Sequence, residues 1–179
     1  MSNTRNIIIA GFGGQGVLLL GKLIAMAGLA DNREVSWIPS YGPEMRGGTA
    51  NCTVRISDTP IGSPVVSAPN SLIAMNLPSI DKFENDLEEG GLLIYNTSLI
   101  NRAPVRKDVK LVPIPASDLA NEKLKNTKLT NMILFGAFLK HTEFVSEEIA
   151  FKALEESVSK RHAKLIPLNK EAIKLGFNH

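Results

Sequence analysis

Apolar and polar positions switch between two periods along this chain, and the switches mark its elements. Ile7-Ile8-Ile9-Ala10 is a continuous, largely β-branched apolar run, the pattern of a strand covered on both faces. Residues 17–30 then carry Leu18, Leu19, Leu23, Ala25, Met26 and Leu29 at helical spacing, which predicts a helix with a broad apolar face. Residues 35–38 return to strand, expected to end at Pro39. Residues 49–56 set Cys52, Val54 and Ile56 against Thr53 and Arg55, the alternation of a half-buried strand.

Further along, residues 60–69 hold three prolines and read as loop. Short apolar strands are predicted at 71–75, 92–96 and 109–114. A helix at 78–87 opens on Pro78, which suits a first helical turn. The C-terminal third is helical in pattern. Met132, Phe135 and Leu139 mark a helix at 131–140. A second, at 147–160, has Ser146 as N-cap and acids in its first turn. A last short helix is predicted at 170–175. No repeat or linker breaks the series, so residues 1–179 are expected to form one domain. Strands alternating with helices predict a three-layer α/β/α-type domain with a mixed, mostly parallel sheet.

Composition narrows the chemistry. With 179 residues and 44% hydrophobic content the chain can bury a real core. A net charge of +2, with no basic cluster interleaved with aromatics, argues against nucleic acid. Cys52 is the only cysteine and the three histidines are scattered. An iron–sulfur cluster needs about four thiolates, and no histidine pair has zinc-ligand spacing. No apolar run approaches the roughly 20 residues of a membrane span, and the N-terminus does not read as a signal peptide. A cytoplasmic location with no membrane contact is expected.

Two stretches remain as candidate sites. Gly11-Phe12-Gly13-Gly14-Gln15-Gly16 joins the first strand to the first helix, placing backbone N–H groups at the positive end of a helix dipole. The spacing Gly11-x-Gly13-x-x-Gly16 matches the dinucleotide fingerprint, which supports a nucleotide-binding, Rossmann-like enzyme as an alternative. That fingerprint also needs an acid at the end of the second strand; here the strand ends Ile38-Pro39-Ser40, and Asp31 and Glu34 precede it. A tight turn for close helix packing is the structural alternative. The second stretch is Ser40-Tyr41-Gly42-Pro43-Glu44-Met45-Arg46-Gly47-Gly48-Thr49-Ala50-Asn51. Its glycines and proline fix a frame from which Tyr41, Glu44, Arg46 and Asn51 project. Loops after the first and second strands should share the carboxyl edge of the sheet, where ligands bind in such folds.

These stretches, followed by Ile61-Gly62-Ser63-Pro64, resemble the gamma subunit of the 2-oxoacid:ferredoxin oxidoreductases. The form Tyr41-Gly42-Pro43-Glu44-Met45-Arg46-Gly47-Gly48 is most similar to the 2-oxoglutarate branch, with branched-chain 2-oxoacid enzymes close behind. The resemblance implies oxidative decarboxylation of a 2-oxoacid with coenzyme A to acyl-CoA and CO2, electrons passing to ferredoxin. It implies thiamine diphosphate, Mg2+, [4Fe-4S] clusters and coenzyme A in the complex, on or shared with other subunits, and no cofactor bound by this chain alone. Alpha and beta subunits and a ferredoxin-like delta subunit are the implied partners. An isolated chain would cover its open interface as a homodimer. By position, Gly13, Gly14, Gln15, Gly16, Tyr41, Glu44, Arg46 and Asn51 are the implied cofactor-binding or interface residues, with Lys22 a further candidate. No catalytic or metal-binding residue is expected. Whether the site touches coenzyme A or only partner subunits stays open.

Overall fold

The computed structural model describes residues 4–40 and 49–179. Six strands form one sheet: β1 (Arg5–Phe12), β2 (Glu34–Ser40), β3 (Thr49–Ser57), β4 (Ser71–Ala74), β5 (Leu92–Asn96) and β6 (Lys110–Ile114). Their order is β2-β3-β1-β4-β5-β6. β3 pairs antiparallel with both β1 and β2, while β4, β5 and β6 extend the sheet parallel to β1. The sheet is therefore mixed and mostly parallel, as expected, with β3 alone reversed.

Burial along β1 follows the period of two. Ile7 and Ile9 enter the larger core with Cys52, Val54 and Ile56 of β3. Ile8 and Ala10 enter a smaller one with Leu72, Ala74, Leu93 and Tyr95. Both faces of the central strands are covered, which is why their sequences read as unbroken apolar runs. The larger core is closed by α1 (Val17–Ala30), α3 (Ala116–Leu124), α4 (Thr130–Thr142), α5 (Glu147–Ser157) and α6 (Ile166–Phe177). On the other face α2 (Leu77–Phe83) contributes Ile80 and Phe83. This thinner layer leaves the outer face of β2 and β3 partly open: Thr53 and Arg55 are half-buried and Ile38 is exposed.

Several boundaries differ from those predicted. β2 continues through Pro39 to Ser40, with Pro39 opposite Cys52. β2 is an edge strand, where the missing proline N–H interrupts no ladder on its open side. The helix expected at 78–87 is α2 followed by a 3-10 turn, Glu84–Asp86. Asn76 caps it, accepting from the Ser79 N–H at 3.0 Å. α5 stops at Ser157, and Ser146 caps it as predicted, accepting from the Ile149 N–H. The last helix, α6, runs twelve residues instead of six. α3 was not predicted. Its buried residues Ala116, Ala120 and Leu124 recur every four positions, but two of them are alanines and its face is narrow.

Candidate functional site

β1 and β2 both oppose β3, so they point the same way, and their carboxyl ends meet at one edge. The register fixes this: Phe12 pairs with Thr49 and Ser40 with Asn51. The glycine turn and the described ends of the 41–48 loop therefore share the sheet edge expected from the sequence. Tyr41, Glu44 and Arg46 lie outside the described residues.

The turn itself is closed by Gln15. Its Oε1 accepts from the Phe12 N–H at 2.6 Å, and its own N–H donates to the Phe12 carbonyl at 3.2 Å. The Gln15 amide oxygen is thus committed to shaping the turn. Gly11 falls within β1, and the turn proper starts at Gly13. Gly14 and Gly16 have φ of +93° and +76°, conformations a side chain disfavours. Gly13 and Gly14 are exposed. Among the described residues, the N–H groups of Gly13, Gly14 and Gly16 meet no acceptor.

Gly16 is the N-cap of α1, without a side-chain cap and with no acid in the first turn. The positive end of the helix dipole is left without an anionic partner from the described chain. From the other side, Asn131 of α4 donates its Nδ2 to the Gly16 carbonyl at 3.3 Å. Asn131 is 2% exposed, and its Oδ1 has no partner among the described residues. Sequence reasoning passed over Asn131, although a polar residue opening an otherwise apolar helix was its visible signal.

Asn51 stands apart from this helix terminus. It pairs with Ala10, whose side chain lies in the smaller core, so Asn51 is on the face of the sheet opposite α1. The edge thus presents two surfaces. One holds the glycine turn, Asn131 and, further along α1, the exposed Lys22. The other holds Asn51, the 36% exposed Phe12 and the 39% exposed Ile38. Two apolar side chains, Phe12 and Ile38, are exposed on the same face of this edge, an arrangement that marks a contact surface when contiguous.

The dinucleotide alternative fits this topology poorly. The strand following α1 is β2, which is separated from β1 by antiparallel β3, whereas the fingerprint belongs to consecutive parallel neighbours. Asp31 lies at the far end of α1 and pairs with Arg33 at 3.0 Å. Cys52 is fully buried, and burial pushes its thiol up to about 12. It is neither a nucleophile nor a ligand in this state. Among the described residues no cluster of three or more His, Cys, Asp or Glu side chains is placed to hold a metal. No described helix is long and apolar enough to cross a membrane.

Comparison with known proteins agrees with this geometry. The family described as pyruvate ferredoxin/flavodoxin oxidoreductase matches residues 6–179. The chain is 37% identical over 158 residues to the 2-oxoglutarate synthase subunit KorC of Methanocaldococcus jannaschii, covering 87% of this chain and 84% of that protein. It is 45% identical over 114 residues to the ketoisovalerate oxidoreductase subunit VorA of Methanothermobacter marburgensis; the match spans 64% of this chain but only 24% of that longer protein. Its fold superposes with a TM-score of 0.86 on the gamma subunit of a keto/oxoacid ferredoxin oxidoreductase from Geobacter sulfurreducens, at 29% identity, over 98% of this chain and 95% of that one. With its matched length, mixed sheet and glycine turn, the chain belongs to the pyruvate ferredoxin/flavodoxin oxidoreductase family of oxidoreductase subunits.

Proposed function

We propose that this chain is the gamma subunit of a multi-subunit 2-oxoacid:ferredoxin oxidoreductase, and that its 2-oxoacid is 2-oxoglutarate. The observation that carries the reading is the family match over residues 6–179. The 2-oxoglutarate assignment is favoured by likeness to KorC over most of both chains. A branched-chain 2-oxoacid is the second reading, favoured by the higher identity to VorA over a shorter stretch.

In the assembled enzyme, thiamine diphosphate with Mg2+ and the iron–sulfur clusters supply the decarboxylation and electron-transfer chemistry from other subunits. This chain supplies a surface. The N-terminus of α1 and the N–H groups of Gly13, Gly14 and Gly16, which have no acceptor among the described residues, suit an anionic group, such as a coenzyme A phosphate. The exposed Phe12 and Ile38 suit an apolar partner subunit. Arg46 is read first as an interface anchor, because a subunit with no cofactor of its own must be held in place. In VorA the matching region sits within a much longer polypeptide. The proposed partners are alpha, beta and ferredoxin-like subunits of the same enzyme. Alone, it is expected to pair with a second copy.

Arg46→Ala in the reconstituted complex tests the site. An interface role weakens co-elution and leaves coenzyme A kinetics unchanged in the surviving complex. A phosphate contact leaves assembly intact and raises the KM for coenzyme A about tenfold or more, for a charge-assisted bond of about 1.5–3 kcal/mol. The isolated chain should show no 2-oxoacid-dependent dye reduction. Turnover by the chain alone, with partners excluded by mass spectrometry, would sink the subunit reading. Comparing 2-oxoglutarate with 3-methyl-2-oxobutanoate in the complex decides the substrate.

A further inference from the structure

Six helical elements, α1, α4, α5, α6 and the 3-10 turns Thr127–Leu129 and Lys160–Leu165, converge on one side of the larger core and leave a groove of about 390 Å3 between their ends. Its floor is Met132 of α4 and Leu154 of α5, both 1% exposed. Its rim carries two leucines that the fold leaves in solvent, Leu19 at 45% and Leu165 at 41% exposure. This size lies in the range of small-ligand sites, which are mostly apolar with a few placed polar groups. The groove is bounded by helix ends rather than by two long parallel helices, so it lacks the length for the successive anchors of a docked helix.

The polar side chains of the groove are Asn126, Lys128, Ser157, Ser159, His162 and Asn169. Lys128 is exposed and lies beside the groove, with no carboxylate partner among the described residues. The His162 ring bonds the Ser159 hydroxyl at 3.0 Å. No Asp or Glu lines the groove. An apolar body therefore finds a hydrophobic floor, while a single negative charge finds an unpaired ammonium and no opposing carboxylate.

We propose that this groove is a binding site for a small amphipathic monoanion: a carboxylate on a short aliphatic or aromatic body. The site uses none of the residues of the glycine turn or of the 41–48 loop, so it stands or falls separately from the proposed function.

Methionine-methyl NMR on the full chain tests it, because Met132 lines the groove and Met75, fully buried at the end of β4, serves as an internal control. Met132→Leu assigns the resonance. Titration with hexanoate should shift the Met132 methyl saturably and leave Met75 in place. Hexan-1-ol, which has the same chain without the charge, should need about threefold to fivefold more, the factor an exposed ion pair supplies. Lys128→Glu should weaken hexanoate by a similar factor, and Leu165→Asp, at an exposed rim position, should abolish the shift. An unmoved Met132 methyl overturns the proposal. So does hexanol binding as well as hexanoate, which would assign the groove to an uncharged apolar partner, or a Lys128→Glu chain that binds hexanoate unchanged.

Discussion

The Nδ2 of Asn131 donates to the carbonyl of Gly16 at 3.3 Å across 115 positions of sequence, tying the start of α4 to the start of α1. Gly16 has φ of +76°, and a Cβ built there would overlap the Asn131 side-chain amide. Gly16→Ala should therefore cost more than the roughly 1–2 kcal/mol of a left-handed backbone alone. Removing the obstacle with Asn131→Ala should return part of that cost. A double-mutant cycle by urea denaturation should show coupling of at least about 0.5 kcal/mol. Additive losses would show that the two residues do not restrain one another.

Glu84 holds the 97–109 segment against α2. Its carboxylate is 2% exposed, pairs with Arg102 at 3.1 Å and accepts from the N–H groups of Val105 and Arg106. Glu84→Ala leaves two backbone donors without their acceptor, a loss of about 2–4 kcal/mol. Arg102 is a third exposed and also contacts Asp81, so Arg102→Ala should cost about 1 kcal/mol or less. Equal losses for the two variants, read from denaturation midpoints, would contradict this ranking.

The crossing of α4 and α6 depends on two facing glycines. A Cβ on Gly136 would overlap the Ile173 carbonyl, and one on Gly176 would overlap the Ile133 carbonyl. The obstacle in both cases is backbone, which cannot rotate away. Gly136→Ala and Gly176→Ala should each lower stability by about 1–3 kcal/mol or more, despite alanine's better helix propensity. A raised melting temperature for either variant would show that the crossing is looser than described.

Cys52 should be silent to thiol reagents in the folded chain and react only on unfolding. Its thiol is raised from 9.0 to about 12, chiefly by burial. The folded state therefore holds this proton more tightly than the unfolded state does. Its contribution is fully present below about pH 9 and is lost as pH rises towards 12, at up to about 1.4 kcal/mol per pH unit. Cys52→Ala should flatten that part of the alkaline stability profile. Rapid native-state labelling at pH 8 would contradict the burial.

The sequence by itself determined the elements whose cause is local. Ile7-Ile8-Ile9 needs cover on both faces wherever it sits, Ser146 caps whatever helix follows it, and the glycines at 13–16 demand a turn between strand and helix. It also determined that the ends of β1 and β2 share an edge, because that follows from alternating strands and helices. Only the tertiary structure decided what depends on neighbours distant in sequence. Pro39 stays in a strand because β2 is at the edge. Asn51 and α1 lie on opposite faces because of the β1–β3 register. α3 exists because three small or apolar residues find a large core to enter. Asn131 joins the candidate site only because α4 folds back across 115 positions to meet Gly16, a contact that no local pattern in either segment encodes.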